Sequence, residues 1–202
     1  MASDVQICNI ALMQIGVTKP IADLATESTV AAVTANAVYA IRRDEVLTAV
    51  QPGFARTVAA LALVSEDPTE EWGYAYRYPD DCLAIRKIQS GVRRIDPRDT
   101  RVPYQLSSDA TGRLIYADLA EAIVEYTRRI TNAEWFPPSF LSALAWRLSI
   151  DLAPALGGAL GSQWRDRSEM YYREALTAAK ADAINEEAPD DAPESEFIRA
   201  RE

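Results

Sequence analysis

The pattern of apolar residues changes period twice along this chain, and that constrains its fold more than any other feature. Apolar residues recur at helical spacing before about residue 65 and again after Pro138. Between about Trp72 and Thr131, aromatic and β-branched residues instead come in short runs separated by turn residues. Helical segments that flank a strand-rich middle must meet in space to bury their apolar faces. The expected fold class is therefore α+β: a helical bundle formed by N- and C-terminal helices, with a small antiparallel β-sheet or sandwich inserted between them. The expected division is residues 1–70 and 132–184 for the two halves of the bundle, 71–131 for the insertion and 185–202 for an acidic flexible arm.

The first helix is predicted from Ser3 or Asp4, with Val5, Cys8, Ala11, Leu12 and Ile15 at helical spacing and Gly16 as its stop. A longer second helix is capped by Ser28, holds Val30, Val33, Ala37, Ile41 and Leu47 on one face, and ends before Pro52-Gly53. Phe54 to Leu63 reads as a third, shorter helix. Strands are predicted over Cys82 to Ile88, Val102 to Leu106, Leu114 to Tyr116 and Ala122 to Thr127, with a hairpin at Asp109-Ala110-Thr111-Gly112. Phe140, Leu144, Leu148, Leu152 and Leu156 mark a helix stopped by Gly157-Gly158, and a last helix runs from about Gln163 to Ala183.

At 202 residues the chain can bury a real core without disulfides or metals. It has no histidine, which removes the commonest general base, zinc ligand and near-neutral pH switch. Cys8 lies within an apolar helical pattern and far from Cys82, so two buried free thiols are expected rather than a bridge. No apolar run reaches the length of a membrane span, and Met-Ala-Ser-Asp does not open a signal peptide, so we expect no membrane partner and no export by that route.

Charge is unevenly placed. The net charge is -9, and the last 18 residues, from Asn185, carry -5 of it through seven carboxylates against Arg199 and Arg201. Of the 21 basic residues 18 are arginine, the type whose planar fork suits interfaces and anions, although GC-rich coding gives the same bias. Residues 86–101 carry +4 in this acidic chain. Arg93, Arg94, Arg98 and Arg101 of that stretch are a candidate phosphate-contacting loop; the alternative is a solvated hairpin or an intersubunit salt-bridge surface. It has no stacking aromatics among its arginines, so sequence-specific nucleic-acid recognition is not expected.

No catalytic constellation emerges. Glu70-Glu71 and Asp80-Asp81 are paired carboxylates on turn-like segments, where solvation is the simplest account. Glycines 157, 158 and 161 end a helix rather than follow a strand, so they are not a phosphate loop, and no calcium-loop pattern occurs. Catalytic residues, metal ligands and cofactors are accordingly expected to be none. Trp72, Tyr74, Tyr76 and Tyr78 alternate, which places four aromatics on one side of an extended segment. They are a candidate subunit interface; packing against the chain's own bundle is the alternative. The tail has a disordered composition, yet it ends in Phe197, Ile198, Arg199 and Arg201, the form of a peptide that orders on a partner.

Several segments, taken in order, resemble the head-to-tail adaptor proteins of tailed bacteriophages, the group that includes the tail tubular protein A of short-tailed phages. They are Ile7-Cys8-Asn9-Ile10-Ala11-Leu12 with Ile15-Gly16, Tyr39 with Arg43-Asp44-Glu45-Val46-Leu47, and Phe54-Ala55. Further on come Tyr74-Ala75-Tyr76-Arg77-Tyr78-Pro79-Asp80-Asp81-Cys82-Leu83, Tyr126-Thr127, Phe136-Pro137-Pro138, Phe140 and Ala143-Leu144-Ala145. Together they span about residues 5–160, and the family's usual tryptophan before Phe54-Ala55 is Pro52-Gly53 here.

The resemblance implies a non-enzymatic head-tail connector of the virion, a homo-oligomeric ring of about twelve copies between the portal protein and a tail or nozzle protein. Such a ring would be assembled in the host cytoplasm and make non-specific contact with the genomic DNA that passes through it during ejection, with Arg93, Arg94, Arg98 and Arg101 as the candidate DNA-channel or interface loop. The bundle would form the ring wall, the C-terminal arm with Phe197, Ile198, Arg199 and Arg201 would grip the portal, and the β insertion would face the tail. A virion-associated peptidoglycan hydrolase using Glu45 or Glu71 is the alternative.

Overall fold

The structure is a computed structural model, described here for residues 3–89 and 102–186. Four helices and seven strands form the α+β arrangement expected from the two changes of period. Helix α1 (Asp4–Gln14) starts at a capping box: the Ser3 hydroxyl accepts from the Gln6 amide at 3.2 Å, and the Gln6 side chain accepts from the Ser3 amide at 2.9 Å. Gly16, at φ +79°, turns the chain out of α1 as a left-handed residue, where a side chain would be strained. Asn9 then clamps the returning loop, donating to the Ile21 carbonyl at 2.9 Å and accepting from its amide at 2.8 Å.

Helix α2 (Val30–Val50) is capped by Thr29 rather than Ser28. Its inward face differs from the expected one. Ala32, Ala35, Tyr39, Arg43, Val46, Leu47 and Val50 are buried, whereas Val30, Val33, Ala37 and Ile41 point outward. Of the predicted face only Leu47 is inside. The physical reason is close packing: small Ala32 and Ala35 let the helix approach its neighbours, so bulk does not identify the buried side.

The predicted helix over Phe54 to Leu63 is absent. A single 3-10 turn at Gly53–Ala55 leads into strand β1 (Arg56–Ala60), followed by β2 (Leu63–Glu66). The β module therefore begins about fifteen residues before the expected boundary at 71, and a long-range partner makes the difference. Strand β1 pairs antiparallel with β7 (Ile123–Arg128), from Arg56 opposite Thr127 to Ala60 opposite Ile123. The remaining strands are β3 (Tyr74–Arg77), β4 (Cys82–Gln89), β5 (Tyr104–Asp109) and β6 (Gly112–Ala117). They complete two antiparallel sheets in the orders β1-β7-β4 and β2-β3-β6-β5. Tyr76, Ile115 and Ala117 from one sheet share a core with Ile88, Val124 and Tyr126 from the other, which makes the pair a small sandwich.

The β5–β6 hairpin turns at Asp109, as expected. Its carboxylate accepts from the Thr111 and Gly112 amides at 2.8 Å and from the Arg77 guanidinium at 2.9 and 3.0 Å. Hydrogen bonds from Arg77, then from Thr111, hold this carboxyl well below the usual carboxylate range. A carboxyl more acidic in the folded chain stabilises fully above its unfolded pKa of about 3.9 and loses that contribution as pH falls below it. Asp109→Asn is thus expected to lower the urea midpoint at pH 7 by more than at pH 3. Equal shifts at both pH values would show that the charge is irrelevant.

Helix α3 (Pro138–Leu156) is the hub of the bundle, packing on α1, α2 and α4 (Gly161–Glu186) through Phe140, Leu144, Leu148 and Leu152. The α3–α4 connection is tight enough that a Cβ on Gly157 would meet the Ala153 carbonyl oxygen at 2.7 Å. Bundle and sandwich are joined by polar contacts at the chain's crossing points. Asp44 on α2 accepts from the Arg129 side chain at 2.7 Å, while the amide of the same Arg129 donates to the Asp81 carbonyl of the sandwich at 2.8 Å. Arg86 on β4 reaches the Pro52 carbonyl at 2.8 Å and the Thr127 hydroxyl at 3.1 Å.

Candidate interaction surfaces

The alternating aromatics divide between two uses. Tyr74 and Tyr76 lie on one face of β3, with ring centroids 6.3 Å apart. Tyr76 is fully buried, its hydroxyl donating to the Leu119 carbonyl, and Tyr78 is buried under the Arg113 guanidinium, which stacks 3.7 Å from the ring centroid. Tyr76 and Tyr78 are thus spent on the chain's own core and are not available to a neighbouring subunit, a correction to the interface reading at those two positions. The reason is that β3 is an inner strand between β2 and β6, so one of its faces closes the sandwich. Trp72 precedes the strand, and its indole donates to Gln105 at 2.8 Å.

Of the basic stretch, Arg86 and Lys87 belong to β4 and are tied into the fold. The Lys87 ammonium stands 3.4 Å from the buried carboxylate of Glu125, which also accepts from Arg56 at 2.9 Å and Gln89 at 3.1 Å. Arg93, Arg94, Arg98 and Arg101 lie outside the described residues, as do Phe197, Ile198, Arg199 and Arg201 of the arm.

Sequence reading missed a cleft of about 550 Å³ between α2, α3 and α4, lined by Glu45, Arg147, Asp151, Arg165, Tyr172 and Arg173, among others. Its residues are scattered over the sequence, and only the helical register brings them together. Arg147 sits between Glu45 at 2.9 Å and Asp151 at 3.4 Å, while Arg42 binds the same two carboxylates. Burial acts to raise the Glu45 carboxyl, but hydrogen bonds and charge from Arg147 and Arg42 outweigh it and hold the group lowered. Such a carboxylate stays ionised, which is the opposite of what a general acid requires. Burial, and then the charge of Glu45, raise the Tyr172 hydroxyl, which stays neutral. The cleft is a braced joint between helices whose polar groups are largely satisfied by one another.

No family model matches this chain, and no curated protein matches it. Among the described residues no cluster of metal-ligating side chains occurs, and no helix is long and apolar enough to cross a membrane. Both cysteines are free and buried, as predicted; burial pushes the Cys8 thiol up to about 12 and raises that of Cys82. Among the described residues, the outward face of α2 leaves Val30, Val33 and Ile41 open to solvent.

Proposed function

We propose that the chain is a structural head-to-tail adaptor of a tailed phage, a ring-forming connector docked between portal and tail that lines the DNA exit channel. The observation that carries this reading is where the adaptor-like residues meet. Asp44, Asp81 and Tyr126-Thr127, distant in sequence, come together at the end of β7, where Arg129 donates through its side chain to the Asp44 carboxylate on α2 and through its amide to the Asp81 carbonyl at 2.8 Å, while Asp81 also accepts from the Tyr126 hydroxyl. The quoted segments therefore behave as one structural signature. Their work is to hold a β module at a fixed attitude on a helical bundle, which suits a part that presents different surfaces to different neighbours. The aromatic segment Phe136-Pro137-Pro138 with Phe140 belongs to the same signature, anchoring the return from sandwich to bundle.

The test is assembly. The purified chain is expected to add to portal rings in about twelve copies, seen by mass photometry as a stepped increase over the portal alone. Particles that lack the protein are expected to have filled heads without tails. Intact, infectious particles without it would overturn the proposal, as would a failure to bind any portal of the phage that encodes it.

A further inference from the structure

Helix α2 carries apolar residues on both sides. Its inner side packs into the bundle, and its outer side presents Val30, Val33, Ala37 and Ile41 at i, i+3, i+7 and i+11, with Val30, Val33 and Ile41 exposed by 67%, 57% and 65%. From Ser28 to Ile41 there is no charged residue, a run of fourteen in a chain that is 25% charged. A helix face that meets water usually carries lysine, arginine or glutamate, whereas a helix apolar all round is one covered on every side. Helix α4 is the contrast: its outer side bears Arg165, Asp166, Arg167, Arg173, Glu174 and Lys180.

We infer that the outer face of α2 is covered by a second copy of this chain. Size and composition both choose that occupant. The stripe exposes on the order of 400 Å² of apolar surface, at the scale where a patch on a monomer signals function. That is about half of the roughly 800 Å² per partner in a standard stable interface. One such contact does not hold two copies together in dilute solution, but a closed ring repeats it at every subunit, each copy giving this face to one neighbour and a different face to the other. A centre free of charge is the mark of permanent contacts between like subunits; transient partners meet through more polar surfaces. A second uncharged run, Val5 to Thr18, covers α1, whose Ile10 and Met13 are also exposed, so the bundle holds a further surface of the same kind. The inference deepens the ring reading by naming its contact, and it moves that contact away from Tyr76 and Tyr78.

The experiment compares the full chain with the double variant Val33→Glu, Ile41→Glu by mass photometry and light scattering, from low to high micromolar concentration. Both positions are exposed, so the fold is expected to survive, and circular dichroism melting checks it. The parent is expected to gain mass with concentration above 22.3 kDa, and the variant to associate at least about a hundredfold more weakly, because each glutamate would lose water inside the contact. A parent that stays monomeric throughout overturns the inference, and so does a folded variant that associates like the parent. In a second measurement, Val33→Cys is labelled with maleimide while Cys8 and Cys82 stay buried; labelling that does not slow as concentration rises also overturns it. Growth that stops at a dimer and is lost in the variant upholds the α2 contact but overturns the ring. Association without portal docking upholds the contact and overturns the adaptor reading alone.

Discussion

Phe140→Ala is expected to destabilise the chain by about 3–5 kcal/mol, lowering its melting temperature by on the order of 10 °C. The Phe140 side chain is fully buried at the first turn of α3, where three rings meet. Its centroid lies 5.5 Å from that of Phe54 in an edge-on arrangement and 4.8 Å from that of Phe136. Phe54 stands where the chain enters the sandwich and Phe136 where it leaves, so the trio closes the junction between the two parts. Removing the central ring forfeits its transfer free energy and its edge-to-face contacts, and leaves a cavity that α3, pinned by three other helices, cannot collapse to fill. Urea unfolding measures the loss, with Trp135→Ala as the control because that ring is largely exposed. If the two variants lose similar stability, the aromatic junction does not hold the parts together.

The same junction shows which parts of the fold could be read from the sequence. Helix α3 was legible because its leucines repeat over about four turns, and the β5–β6 hairpin because Asp109 and Gly112 are turn chemistry at the right offset. Residues 56–66 were not legible. An alanine-rich run such as Val58-Ala59-Ala60-Leu61-Ala62-Leu63 suits helix and strand alike, and the choice is made by β7, some 65 residues away, which supplies the ladder partners of β1. Strand β2 is exposed along its whole length, so burial leaves no alternation to read.

Helix α2 illustrates a subtler failure. The period was right, but hydrophobicity assigned the inner face to the bulkier valines and isoleucine, while close packing assigned it to the alanines. The two sides share the absence of charge from Ser28 to Ile41, so neither charge nor bulk marks the inner side, and only the packing of Ala32 and Ala35 does. The aromatic row was legible as a single face, since Tyr74 and Tyr76 do stack, but sequence alone could not say that β3 would be an inner strand. The cleft at Glu45 and Arg147 was not legible at all, because its lining comes from three helices set by tertiary packing.

Asp44→Ala is expected to cost about 3 kcal/mol, more than an ordinary ion pair, because of what it would leave behind. Arg43 sits on the inner face of α2 beside Tyr39 and Leu47, and its guanidinium is buried. Its Nε and Nη2 both donate to one oxygen of Asp44, at 3.0 and 2.9 Å, while the other oxygen accepts from Arg129 at 2.7 Å. Without the carboxylate, a desolvated cation faces an apolar interior with no compensating charge. Arg129 is far more exposed and returns to water, so Arg129→Ala alone is expected to cost less than about 1 kcal/mol. The distinguishing measurement is a double-mutant cycle: Arg43→Met with Asp44→Ala removes the buried cation together with its half-buried partner and is expected to recover much of the loss. If the double variant is as unstable as the sum of the singles, Asp44 acts by tying the sandwich to α2 through Arg129. If it recovers, Asp44 is there first to keep a buried arginine paired, and the link to the sandwich is made by the oxygen left over.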